Sequence, residues 1–279
     1  MRQQQLPVGR SAPSVLGCPA VARRTTIGHV LTSLHVGGAE RVALMLAQQQ
    51  VKDGHRVVVL SYDAPSVAGA LATEFERAGV AVHRIKKHAN IDWSLPWRSA
   101  RALSRVNIDV VHTHNDLPLV YMAAPARLLR RRLVHTTHGQ HRGSRRQLWL
   151  RRAAARLVHR YVAVSQATAE YALSLGEVSP HKLEVILNGT DLKRFRPDAA
   201  ARARLRQRWG LSADARVVGT VGRLAQVKNQ PLLIKALAPL LKNGACDALL
   251  LVGGGPQRAA LITLAKQLGV ANEVRFIGE

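Results

Sequence analysis

A chain of 279 residues with 47% hydrophobic side chains is too long for a minimal domain and too apolar for wholesale disorder. Its two cysteines, Cys18 and Cys246, exclude a disulfide framework and favour a reducing cytoplasm; no apolar run approaches the roughly 20 residues of a bilayer-spanning helix. A formal net charge of +24 asks for an acidic partner: nucleic acid, an anionic membrane surface or a phosphorylated substrate.

Residues 1–25 carry Arg2, Arg10, Arg23 and Arg24, several prolines and no acid, and read as a basic, disordered tail. Pro7, Arg10 and Pro13 interrupt the apolar region that a lipoprotein signal ahead of Cys18 would need. From Thr26 onward, short runs rich in Val, Ile and Leu alternate with helical patterns. The extended runs are Ile27–Ser33, Arg56–Ser61, Val80–Ile85, Val110–Thr113, Leu133–Thr137 and Tyr161–Val164. Between and after them the spacing predicts helices over Ala39–Lys52, Ala68–Ala78, Trp97–Val106, Leu117–Leu129, Gln147–Leu157 and Ala167–Leu175. Strands that do not alternate cleanly are those buried on both faces, so the rhythm predicts a doubly wound parallel sheet. With only 4% aromatic residues, its core must be built from Ala, Leu and Val.

Leu187-Asn188-Gly189-Thr190-Asp191 and Pro197 punctuate the end of this first domain, placed at 26–197. A basic helix over Arg202–Arg208 opens a second domain, 198–279. It continues with strand Val217–Val221, helix Pro231–Leu241, strand Ala248–Val252, helix Gln257–Leu268 and strand Val274–Ile277. That is half of a Rossmann-like sheet, which predicts an exposed apolar edge and a truncated C-terminal domain.

Three strand-to-helix junctions carry glycine. Gly37-Gly38-Ala39-Glu40-Arg41 follows the first strand; paired glycines let the backbone approach a bulky anion, and the next helix offers free N–H groups and a positive dipole end. It lacks the Gly-x-Gly-x-x-Gly spacing of a dinucleotide site, and a plain tight turn explains it equally well. In the second domain, Gly219-Thr220-Val221-Gly222-Arg223-Leu224 is followed by Lys228. These two cations suit a departing diphosphate, though both could equally be solvated loop charges. Val252-Gly253-Gly254-Gly255-Pro256 is the third junction.

These motifs fall in order with Asp-Val-Val-His-Thr-His (109–114), Thr137-His138-Gly139, Val-Ser-Gln-Ala-Thr (164–168) and Asn-Gly-Thr-Asp (188–191). Together they resemble the retaining GT-B-fold glycosyltransferases of group 1, or family 4, from about Ile27 to the last residue. The resemblance implies a complete N-terminal acceptor-side domain, a partial nucleotide-sugar-binding domain, and sugar transfer from a nucleotide-diphosphate donor to a polysaccharide, lipid-linked or other hydroxyl acceptor. It places Gly37 and Gly38 beside the donor diphosphate, His138 in the cleft near the transferred sugar, and Arg223 and Lys228 on the diphosphate. Gly222, Gly253 and Gly254 complete the donor-binding set. The family's acidic pair, a Glu seven residues before a second Glu, would lie beyond Glu279.

No Asp-x-Asp occurs in the sequence, so positive charge must come from Arg223, Lys228 and helix N-termini, with no metal and no cofactor expected. His112, His114, His135, His138 and His141 cluster near two strand ends, but no acid or thiol completes a metal-ligand spacing. From Asp116 to Glu170 there is no acid between many arginines, among them Arg127, Arg145, Arg152, Arg156 and Arg160. Over Ser144–Arg160 the pattern puts Leu150, Ala154, Leu157 and Tyr161 on one face, which suits an amphipathic helix lying on an anionic membrane from the cytoplasmic side, or equally one packed on the sheet. The alternatives are a non-catalytic sugar-nucleotide binder and, on charge alone, a nucleic-acid-binding protein lacking any recognisable motif.

Overall fold

The computed structural model describes residues 24–63, 71–140 and 143–278. The basic tail as far as residue 23, and His141, lie outside them. The chain divides into two compact units at Thr190/Asp191, ahead of the boundary drawn at Pro197, because 186–197 is exposed chain without a helix or strand.

The first unit alternates strictly. Its elements are β1 (Thr26–Leu31), α1 (Gly38–Lys52), β2 (Arg56–Ser61), α2 (Ala72–Arg77), β3 (Ala81–Arg84), α3 (Leu95–Val106), β4 (Val110–His114), α4 (Asp116–Leu128), β5 (Arg132–Thr137), α5 (Arg145–Arg156), β6 (Arg160–Ala163), α6 (Gln166–Ser174) and β7 (Leu183–Val185). All seven strands are parallel, in the order β3-β2-β1-β4-β5-β6-β7.

The unbroken apolar runs have a physical reason. Val57 and Val59 of β2 sit in a core closed by Ala43, Leu44 and Ala47 of α1 and Phe75 of α2. Val58 and Leu60, pointing the other way, join a second core with Leu103 of α3, Met122 of α4 and Ala154 of α5. Successive side chains thus enter opposite cores, and neither face of the strand can be polar.

Local chemistry sets the boundaries. α5 starts ahead of the expected Gln147 because Ser144 and Gln147 form a reciprocal capping box. Pro96 in the first turn starts α3 at Leu95, before the expected Trp97. The short β7 has no counterpart in the sequence reading, since three half-exposed residues carry no periodicity.

The second unit comprises α7 (Ala199–Arg208), β8 (Val217–Val221), α8 (Gln230–Lys242), β9 (Ala248–Val252), α9 (Arg258–Gln267) and β10 (Val274–Gly278). Its three parallel strands run β10-β9-β8. Leu249 and Leu251 pack with Ile234, Ala238, Leu261 and Ala265, while Val218 and Val221 of β8 remain exposed.

Candidate functional site

In the first unit, strand order reverses between β1 and β4, and the carboxyl ends of strands at such a switch point form the natural ligand crevice. The sequence delivers histidine there from three strands. His29 of β1 is paired directly with His112 of β4, His114 ends β4, and His138 follows β5. His29 and His114 are fully buried; His112 and His138 are half-buried.

The rings are linked. His29 Nε2 bonds Gln50 Oε1 of α1 at 2.8 Å, His29 Nδ1 lies 3.0 Å from His114 Nε2, and His114 Nδ1 lies 3.0 Å from His138 Nε2. His112 stacks on His114 with centroids 4.3 Å apart and bonds Thr136 Oγ1 at 2.7 Å. The His138 backbone N–H donates to Asn115 Oδ1 at 3.2 Å. Asn115 precedes α4 at φ 65°, a left-handed geometry asparagine tolerates.

Burial is the main reason His29, His112 and His114 stay neutral. It lowers His29 from 6.5 to about 4, and it drives His112 and His114 well below the ordinary value, with neighbouring rings adding to the effect. Unfolded His29 takes up a proton near 6.5, whereas the folded ring resists until about 4. The unfolded state therefore holds more protons in that window, so stability is complete above 6.5 and falls as pH drops through it. His29 alone contributes a loss of roughly 3 kcal/mol by this linkage, and His112 and His114 act in the same direction. Urea midpoints measured from pH 7 to pH 4 should decline steadily; a flat profile would show that the rings are not buried neutral.

Ring nitrogens of His29, His112 and His114 lie within 4.8 Å of one another, the one such grouping found among the described residues. A cation there would compete with the hydrogen bonds these three rings already make.

Gly37 and Gly38 lie where expected, at the start of α1 beyond β1. Gly38 faces open space, and the Glu40 carboxylate folds back over Gly37. Burial pushes that carboxyl up. A groove of about 690 Å³ runs between the connection from β3 to α3, α4 and the start of α5, lined by Ile91, Leu117, Tyr121, Leu150, Arg146 and Lys87.

The second unit brings together its own predicted residues. The loops after β8 and β9 are joined backbone to backbone: Gly222 N–H donates to Val252 O at 2.9 Å, and Leu224 N–H donates to Gly254 O at 2.7 Å. A side chain on Gly253 would meet Gly222 O at 2.2 Å. Arg223 and Lys228 are exposed beside this junction, and a Cβ on Gly222 would lie 3.9 Å from Lys228 Cε.

Of the two readings of the 144–160 pattern, packing on the sheet is the one seen: Ala154 of α5 and Tyr161 of β6 are in the core and Leu157 packs against it. The sheet claims that face, leaving Arg145, Arg146, Trp149, Arg152 and Arg156 exposed. Arg151 is itself buried, bonded to Asp116 at 2.6 Å and facing Glu177 at 3.3 Å. Among the described residues no helix is long and apolar enough to cross a membrane.

Sequence reasoning missed His29 and Gln50. The signal available was strand order, since a doubly wound sheet sets β1 beside β4 and so brings His29 against His112.

Comparison with known proteins accords with this arrangement. Glycosyltransferase Family 4 matches residues 36–194, and Glycosyl transferases group 1 matches residues 201–279. A GDP-mannose-dependent alpha-(1-6)-phosphatidylinositol monomannoside mannosyltransferase of Mycobacterium tuberculosis is 33% identical over 239 residues, 81% of this chain and 60% of that protein. A D-inositol 3-phosphate glycosyltransferase of Salinispora arenicola is 29% identical over 75% of this chain and 47% of its own length. The chain thus spans about 60% or less of these relatives. The crystal structure of Anabaena HepE with UDP-glucose is similar at a TM-score of 0.75 and 25% identity, covering 91% of this chain and 69% of that one. WaaG, a glycosyltransferase involved in lipopolysaccharide biosynthesis, matches at 0.64 and 19% identity over 90% and 70%. The nucleic-acid alternative finds no support among these relatives. With a seven-stranded parallel sheet, a smaller second sheet and a family match over more than half its length, the chain belongs to glycosyltransferase family 4, of the GT-B fold class.

Proposed function

We propose that the protein transfers a glycosyl group from a nucleotide-diphosphate sugar to a hydroxyl acceptor, with retention at the anomeric carbon. The observation carrying this is the fused glycine junction of the second unit, where half-buried Gly222, Gly253 and Gly254 join two strand-end loops beside exposed Arg223 and Lys228. Such a surface suits a diphosphate: small residues admit it, and two cations offset the charge that develops as it departs. No divalent cation is invoked, since the side chains and the helix N-termini supply the positive charge. In the first unit, Gly37 and Gly38 are assigned to phosphate binding, and His138 to positioning or hydrogen-bonding a sugar.

The acceptor is assigned to the groove along α4 and α5, where apolar Leu117 and Leu150 sit beside Lys87 and Arg146. That mixture fits a hydroxyl carried on an anionic lipid, the acceptor class named for the mycobacterial relative.

Calorimetric titration of the full chain with UDP and GDP tests the donor assignment. One of them should bind more tightly than its monophosphate, and Lys228→Ala should weaken it about tenfold to a hundredfold, the equivalent of losing a charge-assisted hydrogen bond. Equal affinity for mono- and diphosphates, or no response to Lys228→Ala, would sink the assignment.

A further inference from the structure

We propose that Gln50, His29 and His114 are positioning residues for His138: as a head-to-tail chain they fix its imidazole in the Nε2–H tautomer, leaving Nδ1 as the accepting nitrogen. The importance of His138 rests on the function proposed above, but the tautomer does not.

Every link joins the Nδ1 of one ring to the Nε2 of the next, or Nε2 to the amide. A neutral imidazole carries one N–H and one lone pair. Gln50 Oε1 can only accept, so His29 must carry its proton on Nε2 and accept at Nδ1. His114 then donates from Nε2 and accepts at Nδ1, which obliges His138 to donate from Nε2. One amide therefore sets three rings, and a change of direction at Gln50 would reverse all of them together.

Two features keep the logic strict. His29 is 0% and His114 1% exposed, so water does not compete for their nitrogens, and burial holds both rings neutral. His112 also stacks on His114 with centroids 4.3 Å apart, which hinders the ring flip that would exchange its Nδ1 for Nε2. In physical terms the tautomer of His138 is decided in advance by the chain behind it.

The test is ring-nitrogen correlation NMR on the full chain labelled with 15N-histidine, at neutral pH, with His138 assigned by its loss in His138→Gln. Protonated and lone-pair nitrogens resonate in separate ranges, so each tautomer is read directly. His29, His114 and His138 should all carry the proton on Nε2. Gln50→Leu should turn His138 into a mixture of tautomers, while Gln50→Lys, which can only donate, should drive it to Nδ1–H. Gln50→Glu should retain the wild-type pattern. An Nδ1–H His138 in the wild type, or a pattern indifferent to both Leu and Lys at position 50, would overturn the proposal. So would a zinc titration in which His29 and His114 shift together as metal-bound rings at one equivalent. None of these signals depends on donor binding, so failure of the UDP and GDP titration would strike the proposed function and leave this assignment standing.

Discussion

Replacing Arg151 by alanine should destabilise the N-terminal unit by about 3–5 kcal/mol, because it strands carboxylate charge in a place that excludes water. Arg151 arises from a helix whose other arginines are solvated, yet its side chain is only 4% exposed. Its Nη1 reaches Asp116 at the start of α4, and its Nε faces Glu177 beyond α6. Glu177 is 7% exposed and also accepts the Tyr161 hydroxyl at 2.9 Å. Removing the guanidinium takes the Arg151 cation away from buried Glu177, so the lost attraction is compounded by the cost of desolvating its carboxylate. The same charge pattern predicts partial rescue. Arg151→Ala combined with Glu177→Gln deletes both buried charges and should recover part of the loss. Urea unfolding of the four corners of this cycle decides it; a single-mutant loss below about 1 kcal/mol would show that water reaches Glu177 after all.

Gly253→Ala should be damaging to both fold and ligand binding in the second unit. Gly253 sits at φ 136°, where only glycine is comfortable, and a methyl group there would lie 2.2 Å from Gly222 O and 2.9 Å from Gly222 C. Both neighbours are main chain, so no rotamer change relieves the contact. Backbone strain and forced displacement together amount to about 2–5 kcal/mol, and the junction that holds Arg223 and Lys228 must open. Nucleotide titration should show affinity lost beyond that of Lys228→Ala, with a lower unfolding midpoint. Gly38→Ala is the control: nothing lies within 4 Å of its added carbon, and it stands in the first turn of α1, so stability should hold or rise slightly. If both substitutions behave alike, close approach is not why glycine stands at 253.

Much of this architecture was legible from the residues. The Val-rich run at 56–61 reads as a doubly buried strand because it has a core on both sides, and the glycine junctions mark where the chain turns from strand to helix. What escaped notice depends on which elements become neighbours. His29 looks like a lone polar residue in a strand until β4 is set beside β1, and Gln50 looks like one of three solvated glutamines until α1 packs back on the sheet. Arg151 was hidden by its company, since a single buried arginine among exposed ones has no local signature. For α5 the alternation of Leu, Ala and Arg was read correctly as two-faced. Only packing against Met122 and Ala123 of α4 decides that its apolar side turns inward.

The two-sided burial of the central strands carries a cost in addressing. When both faces are apolar, sliding a strand by one residue still presents Val, Ile or Leu to each core, so hydrophobic pattern alone says little about alignment. The polar side chains near the strand ends supply the missing index. Thr113 meets His135, His112 meets Thr136, and His29 meets Gln50, each pairing available at only one alignment of its elements. A slip would bury these groups without partners. The histidines of the crevice therefore also act as tooth marks that keep neighbouring strands in step, which ties the placing of the sheet to the chemistry at its edge.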